Sequence, residues 1–164
     1  MRNIIVITCT ACVILLSLFI VRHADTGGND APNTALYSLD GQRFILYSIL
    51  EELPEGGVAI INFTSARCKP CTKEIPELLS LCKSSPRARL ICVYAEPARQ
   101  AAASASSLGV YDLAFADPLG TVQHIFRVTK YPVTLVITKT RQIAGRFEGY
   151  NKANITAISD LIAR

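Results

Sequence analysis

The sequence is poor in residue types that would indicate several common functions. It contains no Trp, one Met and two His among 164 residues, so there are few ligands for a metal centre. Charged residues make up 18% of the chain and the net charge is +4, without a run of like charges. This charge gives no nucleic-acid-binding footprint. Half of the residues are hydrophobic, and the 9 Gly and 8 Pro show no period, which predicts a compactly folded chain.

The N-terminal segment is apolar enough to enter a membrane. Residues 4–21 carry no charge over 18 positions, which corresponds to roughly 27 Å of helix. The apolar core of a cleaved signal peptide is usually shorter and is followed by small residues at the cleavage site. Here the residues after position 21 make a poor cleavage site. The sequence therefore predicts an uncleaved anchor over residues 1–23, in which Cys9 and Cys12 are apolar helix residues. A removed signal is the alternative. Residues 24–33 are interpreted as a tether to a globular part at 34–164.

The globular part alternates between strand and helix patterns. An Asp40-Gly41 turn joins two short strands into a hairpin, and an unbroken apolar run at 58–63 indicates a strand buried on both faces. Strands are predicted at 35–39, 43–46, 58–63, 89–94, 133–138 and 143–147, helices at 48–53, 74–82, 97–108, 122–126 and 152–162, and a turn at 115–120. This order predicts an α/β sandwich with a mixed β-sheet.

The motif that carries chemistry is Cys68-Lys69-Pro70-Cys71, where the buried strand leads into a helix. Two thiols at this spacing can form a small disulfide ring. The helix N-terminus stabilises a thiolate on Cys68, and the charges of Arg67 and Lys69 act in the same direction. We therefore expect Cys68 to be the nucleophile and Cys71 to be the resolving thiol. This chemistry requires no cofactor.

The segment from residue 58 to residue 79, centred on this motif, resembles the active-site segment of thioredoxin-fold proteins. It is most similar to the membrane-anchored, extracytoplasmic TlpA/ResA-type thiol-disulfide oxidoreductases. The resemblance covers residues 34–164 and includes the Asp40-Gly41 hairpin, the turn at 117–120, the Tyr131-Pro132 segment and the final helix.

The resemblance implies a thioredoxin-like sandwich with an N-terminal β-hairpin extension, preceded by one transmembrane helix. It also implies an enzyme of the inner membrane whose catalytic domain faces the periplasm or extracytoplasmic space. Such an enzyme would reduce disulfides of envelope proteins, for example during cytochrome c maturation, with electrons from a membrane donor. No nucleic-acid partner is implied.

Further site residues follow from the same resemblance. Pro132 matches the cis-proline that shapes the substrate-peptide groove, and an ordinary strand-edge proline is the alternative. Glu74 matches an acid that assists proton transfer near the thiols, although it could also be a solvated helix residue. Asn62 stands where thioredoxins carry a buried acid, which makes Glu74 more important. Pro76 matches a proline that kinks the helix.

The residues before the first Cys of the motif separate the chain from the usual pattern. Thr64 and Arg67 stand where Trp is common, which changes the surface that meets a partner. Cys82 and Cys92 are additional cysteines in the globular part. They are expected to be two packed thiols, with a second disulfide as the alternative.

The cysteine motif has three alternative interpretations. If the two cysteines were half of a zinc site, two further ligands would be needed, and the sequence offers none at a suitable spacing. A peroxiredoxin-like peroxide reductase would need Pro seven positions and Thr or Ser three positions before the reactive Cys; Ser65 fits, whereas Ile61 does not. A copper-binding assembly protein would use both thiolates and a His, for which His124 is the only candidate in the globular part.

Overall fold

The computed structural model describes residues 29–164, of which Ala31–Arg164 form one compact unit. The predicted anchor and residues 24–28 of the predicted tether lie outside the described residues. Within the described range, no helix has the length and apolar character needed to cross a membrane. Ala31 is fully buried and its N–H donates to the carbonyl of Arg141 at 2.7 Å, so packing begins before residue 34.

Seven strands and five helices build the described chain. The strands are β1 (Ala35–Tyr37), β2 (Arg43–Ile45), β3 (Val58–Thr64), β4 (Ala88–Tyr94), β5 (Ala114–Ala116), β6 (Val133–Thr138) and β7 (Ile143–Glu148). The helices are α1 (Leu46–Glu51), α2 (Cys71–Ser84), α3 (Ala98–Leu108), α4 (Thr121–Ile125) and α5 (Lys152–Ala163). The five-stranded sheet has the order β5-β4-β3-β6-β7, and β1 and β2 form a separate hairpin.

Strand β3 is the central strand of the five-stranded sheet, and it is buried along its whole length. It pairs in parallel with β4 and antiparallel with β6, so the sheet is mixed, as predicted. Alternate residues face opposite layers. Ile61 and Phe63 pack in the layer that contains α1 and α4, whereas Ile60 packs against α2, α3 and α5. The same alternation turns Asn62 toward α2.

The N-terminal hairpin is confirmed, with β1 and β2 antiparallel. Its turn requires a positive φ of 89° at Gly41, a conformation that glycine adopts without strain. The Ser38 hydroxyl accepts a hydrogen bond from the N–H of Gln42 at 2.9 Å. A β-bridge between Ser38 and Phe115 joins the end of the hairpin to the edge of the main sheet.

The secondary structure differs from the prediction at several bounds. Strand β1 ends two residues earlier, and α2 begins three residues earlier and ends two residues later. Helix α1 begins at Leu46, two residues before the predicted start, and ends at Glu51. Strand β5 occupies part of the segment that was predicted as a turn. Its three residues are too few to show an alternating pattern. The strand forms because it pairs in parallel with Cys92, Val93 and Tyr94 of β4.

Candidate active site

Cys68 and Cys71 lie between the carboxyl end of β3 and the first turn of α2. They form a disulfide with an S–S distance of 2.00 Å and a Cα–Cα distance of 5.3 Å. Cys68 is partly exposed, whereas Cys71 is only 1% exposed. A partner can therefore approach Cys68 but not Cys71. This difference fits the predicted order of attack and resolution.

The start of α2 supplies a hydrogen-bond donor to the accessible sulfur. The backbone N–H of Cys71 donates to Cys68 Sγ at 3.2 Å. Helix α2 has 14 residues, so its free N–H groups and its dipole favour negative charge at this end. After reduction, the same N–H stabilises a thiolate on Cys68. Pro76 lies within α2 near this end, as predicted.

Pro132 lies at the same edge of the sheet as the disulfide. The Tyr131–Pro132 peptide is cis, and Pro132 is buried. It immediately precedes β6, whose first residue, Val133, pairs with Phe63 near the end of β3. The backbone register therefore brings the loop that contains Pro132 alongside the loop that carries Cys68.

Tyr131 is held in place by a hydrogen-bond chain that sequence reasoning missed. Its hydroxyl donates to Oε1 of the buried Gln123. The backbone N–H of Gln123 in turn donates to Oδ2 of the buried Asp117 at 2.9 Å. Burial raises the pKa of Tyr131, and the nearby carboxylates of Glu96 and Asp117 raise it further. Tyr131 therefore remains protonated and can donate to Gln123.

Glu74 forms a buried polar cluster with Asn62 and Thr134 on the α2 side of the sheet. Asn62 Nδ2 donates to Glu74 Oε2 at 2.8 Å and to Thr134 Oγ1 at 2.9 Å. Only 1% of Glu74 is exposed, so the alternative that it is a solvated helix residue is wrong. It lies one helical turn after Cys71, which places both side chains on the same face of α2. Thr134 was not singled out in the sequence because an isolated Thr in a strand gives no signal.

The burial of Glu74 brings the pKa of its carboxyl group close to neutral pH. Burial raises its pKa to about 7, although the hydrogen bonds from Asn62 and Thr134 act in the opposite direction. Its Oε1 has no hydrogen-bond partner among residues 29–164. Near neutral pH, this carboxyl group can therefore both release and accept a proton beside the cysteine pair.

Glu96 fixes the loop that leads to Cys68, and sequence reasoning did not single it out. Its Oε1 accepts hydrogen bonds from Ser65 Oγ at 2.6 Å and from the N–H of Ala66 at 2.8 Å. The N–H of Arg67 donates to Ser65 Oγ at 3.3 Å. Glu96 thus connects the segment after β4 to the segment after β3. The sequence gives no sign of this contact, since the two segments are about 30 residues apart.

Cys82 and Cys92 are free thiols in the structure. Cys92 is fully buried in β4, and Cys82 is half-buried near the end of α2. Burial raises the pKa of Cys82 to about 12 and also raises the pKa of Cys92. Both residues therefore stay protonated. The prediction of two packed thiols describes them, whereas the alternative of a second disulfide does not.

The remaining site predictions concern charge and metal binding. Arg67 and Lys69 are exposed on either side of Cys68. Within residues 29–164, no three His, Cys, Asp or Glu side chains lie close enough together to hold a metal ion. His124 is an exposed residue of α4.

Comparison with known proteins identifies the family. Residues 27–150 match the AhpC/TSA family. The chain belongs to this family. No curated protein matches at a significant level.

Among solved structures, a protein from Chlorobium tepidum assigned as the thiol:disulfide interchange protein DsbE is similar with a TM-score of 0.72 and 20% identity, over 83% of this chain and 94% of that one. Mycobacterium tuberculosis DsbF, seen in mixed oxidised and reduced forms, gives a TM-score of 0.67 and 20% identity over 79% and 92%. A thioredoxin-family thiol:disulfide interchange protein from Chlorobium tepidum is similar with a TM-score of 0.66 and 22% sequence identity. The match covers 85% of this chain and 99% of that protein.

These matches confirm the predicted thioredoxin-like fold, and the TlpA/ResA resemblance is consistent with them. The family match and the Cys68–Cys71 disulfide fit a redox enzyme, as predicted.

Proposed function

We propose that this AhpC/TSA-family protein is an extracytoplasmic thiol-disulfide oxidoreductase that reduces disulfides of envelope proteins. The observation that supports this proposal is the asymmetry of the Cys68–Cys71 pair. Sγ of the partly exposed Cys68 accepts a hydrogen bond from the N–H of Cys71, and Cys71 itself is buried. A structural disulfide has no need of this arrangement, but a two-step exchange reaction does.

The reaction proceeds in two exchanges. The thiolate of Cys68 attacks one sulfur of a partner disulfide, the partner's S–S bond breaks, and a mixed disulfide forms. The thiolate of Cys71 then attacks Cys68 Sγ, which releases the partner as a dithiol and leaves the Cys68–Cys71 disulfide. Glu74 accepts the proton of Cys71 as that thiol becomes a nucleophile. A membrane donor returns two electrons and two protons to complete the cycle.

The cellular setting is part of the proposal. Residues 1–23 anchor the chain as a single pass in the inner membrane, and the folded domain faces the periplasm or extracytoplasmic space. Reduction of an apocytochrome disulfide to its two thiols before haem attachment is the partner reaction that fits the resemblance. The anchor is tested by alkaline extraction of membranes that carry the full-length chain. Retention in the membrane supports the anchor, and release into the supernatant contradicts it.

The reduction potential tests the direction of electron transfer. The full-length chain is equilibrated with glutathione or dithiothreitol buffers, and the Cys68–Cys71 couple is measured. A reductase should have a potential near or below about −270 mV, whereas a value near −120 mV would indicate an oxidant of folding proteins. The Cys82→Ala/Cys92→Ala variant should retain the couple, and Cys68→Ala should lose it. Absence of a two-electron couple that depends on both Cys68 and Cys71 would overturn the proposal.

Peroxide reduction is a second candidate, and one observation favours it. Ser65 lies three residues before Cys68, as the peroxiredoxin pattern requires. However, its hydroxyl donates to Glu96 Oε1 at 2.6 Å and is therefore not directed at the reactive sulfur. Reaction of the reduced chain with hydrogen peroxide tests this candidate. We expect a rate close to that of a simple thiol, and a rate orders of magnitude higher would favour the peroxidase.

A further inference from the structure

The surface around Cys68 carries exposed positive charges that have no carboxylate partner within the described part of the chain. Arg67 and Lys69 are adjacent to Cys68 in sequence, and Lys73 lies in the first turn of α2. Arg99 lies in the first turn of α3. All four side chains are exposed, and none pairs with a carboxylate of residues 29–164. We call these four residues the cationic rim.

The topology brings these residues to one edge of the sheet. Strands β3 and β4 are parallel, so α2 and α3, which follow them, begin at the same edge. The N–H of Ala95 donates to the carbonyl of Thr64 at 3.0 Å, and Glu96 bonds to Ser65 and Ala66. Arg99 follows this contact by three residues. The rim therefore extends from α2 to α3 across the loop that carries Cys68.

The carboxylates near this edge are already engaged. Glu74 and Asp117 are buried. Glu96 accepts hydrogen bonds from the loop before Cys68. Glu77 pairs with Lys152 at 2.6 Å, and Glu148 pairs with Lys130 at 2.9 Å. The hydrogen bonds to Glu96 come from neutral groups, so its charge offsets one of the four rim charges, and the rim keeps a net positive charge.

The opposite end of the sheet is arranged differently. There, Arg89 pairs with Glu52 at 3.1 Å, Lys139 with Glu55 at 3.1 Å and Arg141 with Glu51 at 3.0 Å. These three cations have carboxylate partners within the domain, whereas Arg87 at the same end bonds to the carbonyl of Gly56 and Lys83 pairs with no carboxylate of residues 29–164. Charges left without partners around a reactive group produce a local positive potential, which attracts an anionic partner and increases its rate of association.

We propose that the cationic rim selects protein substrates whose disulfide is flanked by acidic residues. This inference rests on the proposed function and specifies its substrate class. The partner's sulfur must reach Cys68, so the chain around that sulfur must lie over the rim. A rim that rested on anionic lipid would cover Cys68. A peptide partner is therefore favoured over a membrane surface.

The test uses three peptides, each with one intramolecular disulfide and identical except for the residues that flank the cysteines. These residues are Glu in one peptide, Gln in the second and Lys in the third. The reduced full-length chain, in a non-ionic detergent, reacts with each peptide, and the second-order rate is measured. We expect the Glu peptide to react about tenfold faster than the Lys peptide at low ionic strength. The difference should nearly vanish at about 1 M salt, where the screening length falls to about 3 Å.

Matched variants separate the rim from the overall charge. Lys73→Gln/Arg99→Gln removes two rim charges without changing the cysteines or their neighbours. Lys83→Gln/Arg164→Gln removes the same charge from exposed residues at the end of α2 and at the end of α5. The rim variant should lose most of the discrimination between peptides, and the control variant should retain it. Both should react normally with uncharged bis(2-hydroxyethyl) disulfide, which shows that the dithiol is intact.

Each contrary result has a distinct meaning. Equal rates for the three peptides, or discrimination that persists in the rim variant, would overturn the substrate class while leaving the oxidoreductase in place. Failure to reduce any peptide or the uncharged disulfide would overturn both proposals. A lipid-facing rim would instead slow alkylation of Cys68 in anionic vesicles relative to neutral ones, and this effect would be lost in the rim variant. That result without peptide discrimination would also overturn the inference.

Discussion

The two cysteine pairs of the globular part show how position determines the chemistry of a thiol. Cys68 and Cys71 lie at the junction of a strand and a helix, where the N–H of Cys71 donates to Cys68 Sγ and Cys68 is partly exposed to solvent. Cys82 and Cys92 lie within a helix and a strand in the hydrophobic layer, and both are free. Burial raises the pKa of both of these thiols. The first pair is suited to exchange reactions, and the second contributes to packing.

Removal of Cys68 should have the largest effect. Cys68→Ser should reduce turnover of a disulfide peptide by at least about a thousandfold, because a serine hydroxyl is a far weaker nucleophile at neutral pH. Cys71→Ser should instead accumulate a mixed disulfide with the peptide, which mass spectrometry detects as a mass increase. Turnover by Cys68→Ser at more than a few per cent of the wild-type rate would show that another thiol carries the reaction.

Glu74→Gln should have the next largest effect on activity, and it also gives a signature in the pH dependence. The rate of the resolving step should lose its inflection near pH 7, because the titrating group has a pKa of about 7. The substitution keeps the size of the side chain and an acceptor for Asn62. A pH profile unchanged from that of the wild type would contradict a role for Glu74 in proton transfer.

Stability measurements provide an independent test of Glu74. Its pKa is raised in the folded state, so between about pH 4.5 and 7 the folded chain binds a proton that the unfolded chain has lost. The free energy of unfolding should therefore fall as pH rises through this window, by at most about 1.4 kcal/mol per pH unit from this group. Urea unfolding of the wild type and of Glu74→Gln should show this slope in the wild type alone.

The support of the Cys68 loop should have a smaller effect. Glu96→Ala leaves Ser65 Oγ and the N–H of Ala66 without their acceptor and should cost about 1–3 kcal/mol of stability. Peptide reduction should slow several-fold as the loop loosens. Glu96→Gln retains an oxygen acceptor and should recover much of the loss. If Glu96→Gln were as impaired as Glu96→Ala, the charge would matter more than the acceptor.

Substitution of the second pair should have the smallest effect on activity. Cys82→Ser and Cys92→Ser should each reduce peptide disulfides within about twofold of the wild-type rate. Cys92→Ser should still lower the free energy of unfolding by about 1–3 kcal/mol, because it buries a hydroxyl in an apolar layer. Cys82→Ser should cost less, since Cys82 is half-buried. A large loss of activity in either variant would break the distinction between the two pairs.

The sequence was sufficient for the parts of the site that depend on local pattern. The apolar run of β3 and the cysteine spacing after it predicted a strand, a helix and a reactive thiol at their junction. The sandwich followed from the order of the elements. The contacts of Glu96 with Ser65 and of Asn62 with Thr134 were not predictable, since they join segments that only the fold brings together. The burial of Glu74 also depends on which face of α2 meets the sheet.

Alkylation of each cysteine in the reduced full-length chain tests the central claim most directly. The chain is treated with iodoacetamide across a range of pH, and modification at each residue is followed by mass spectrometry. We expect Cys68 to react first and at the lowest pH, with Cys71 protected by burial and Cys92 unmodified until the chain unfolds. Modification of Cys82 or Cys92 as fast as that of Cys68, or of Cys71 before Cys68, would contradict the assignment of the two pairs.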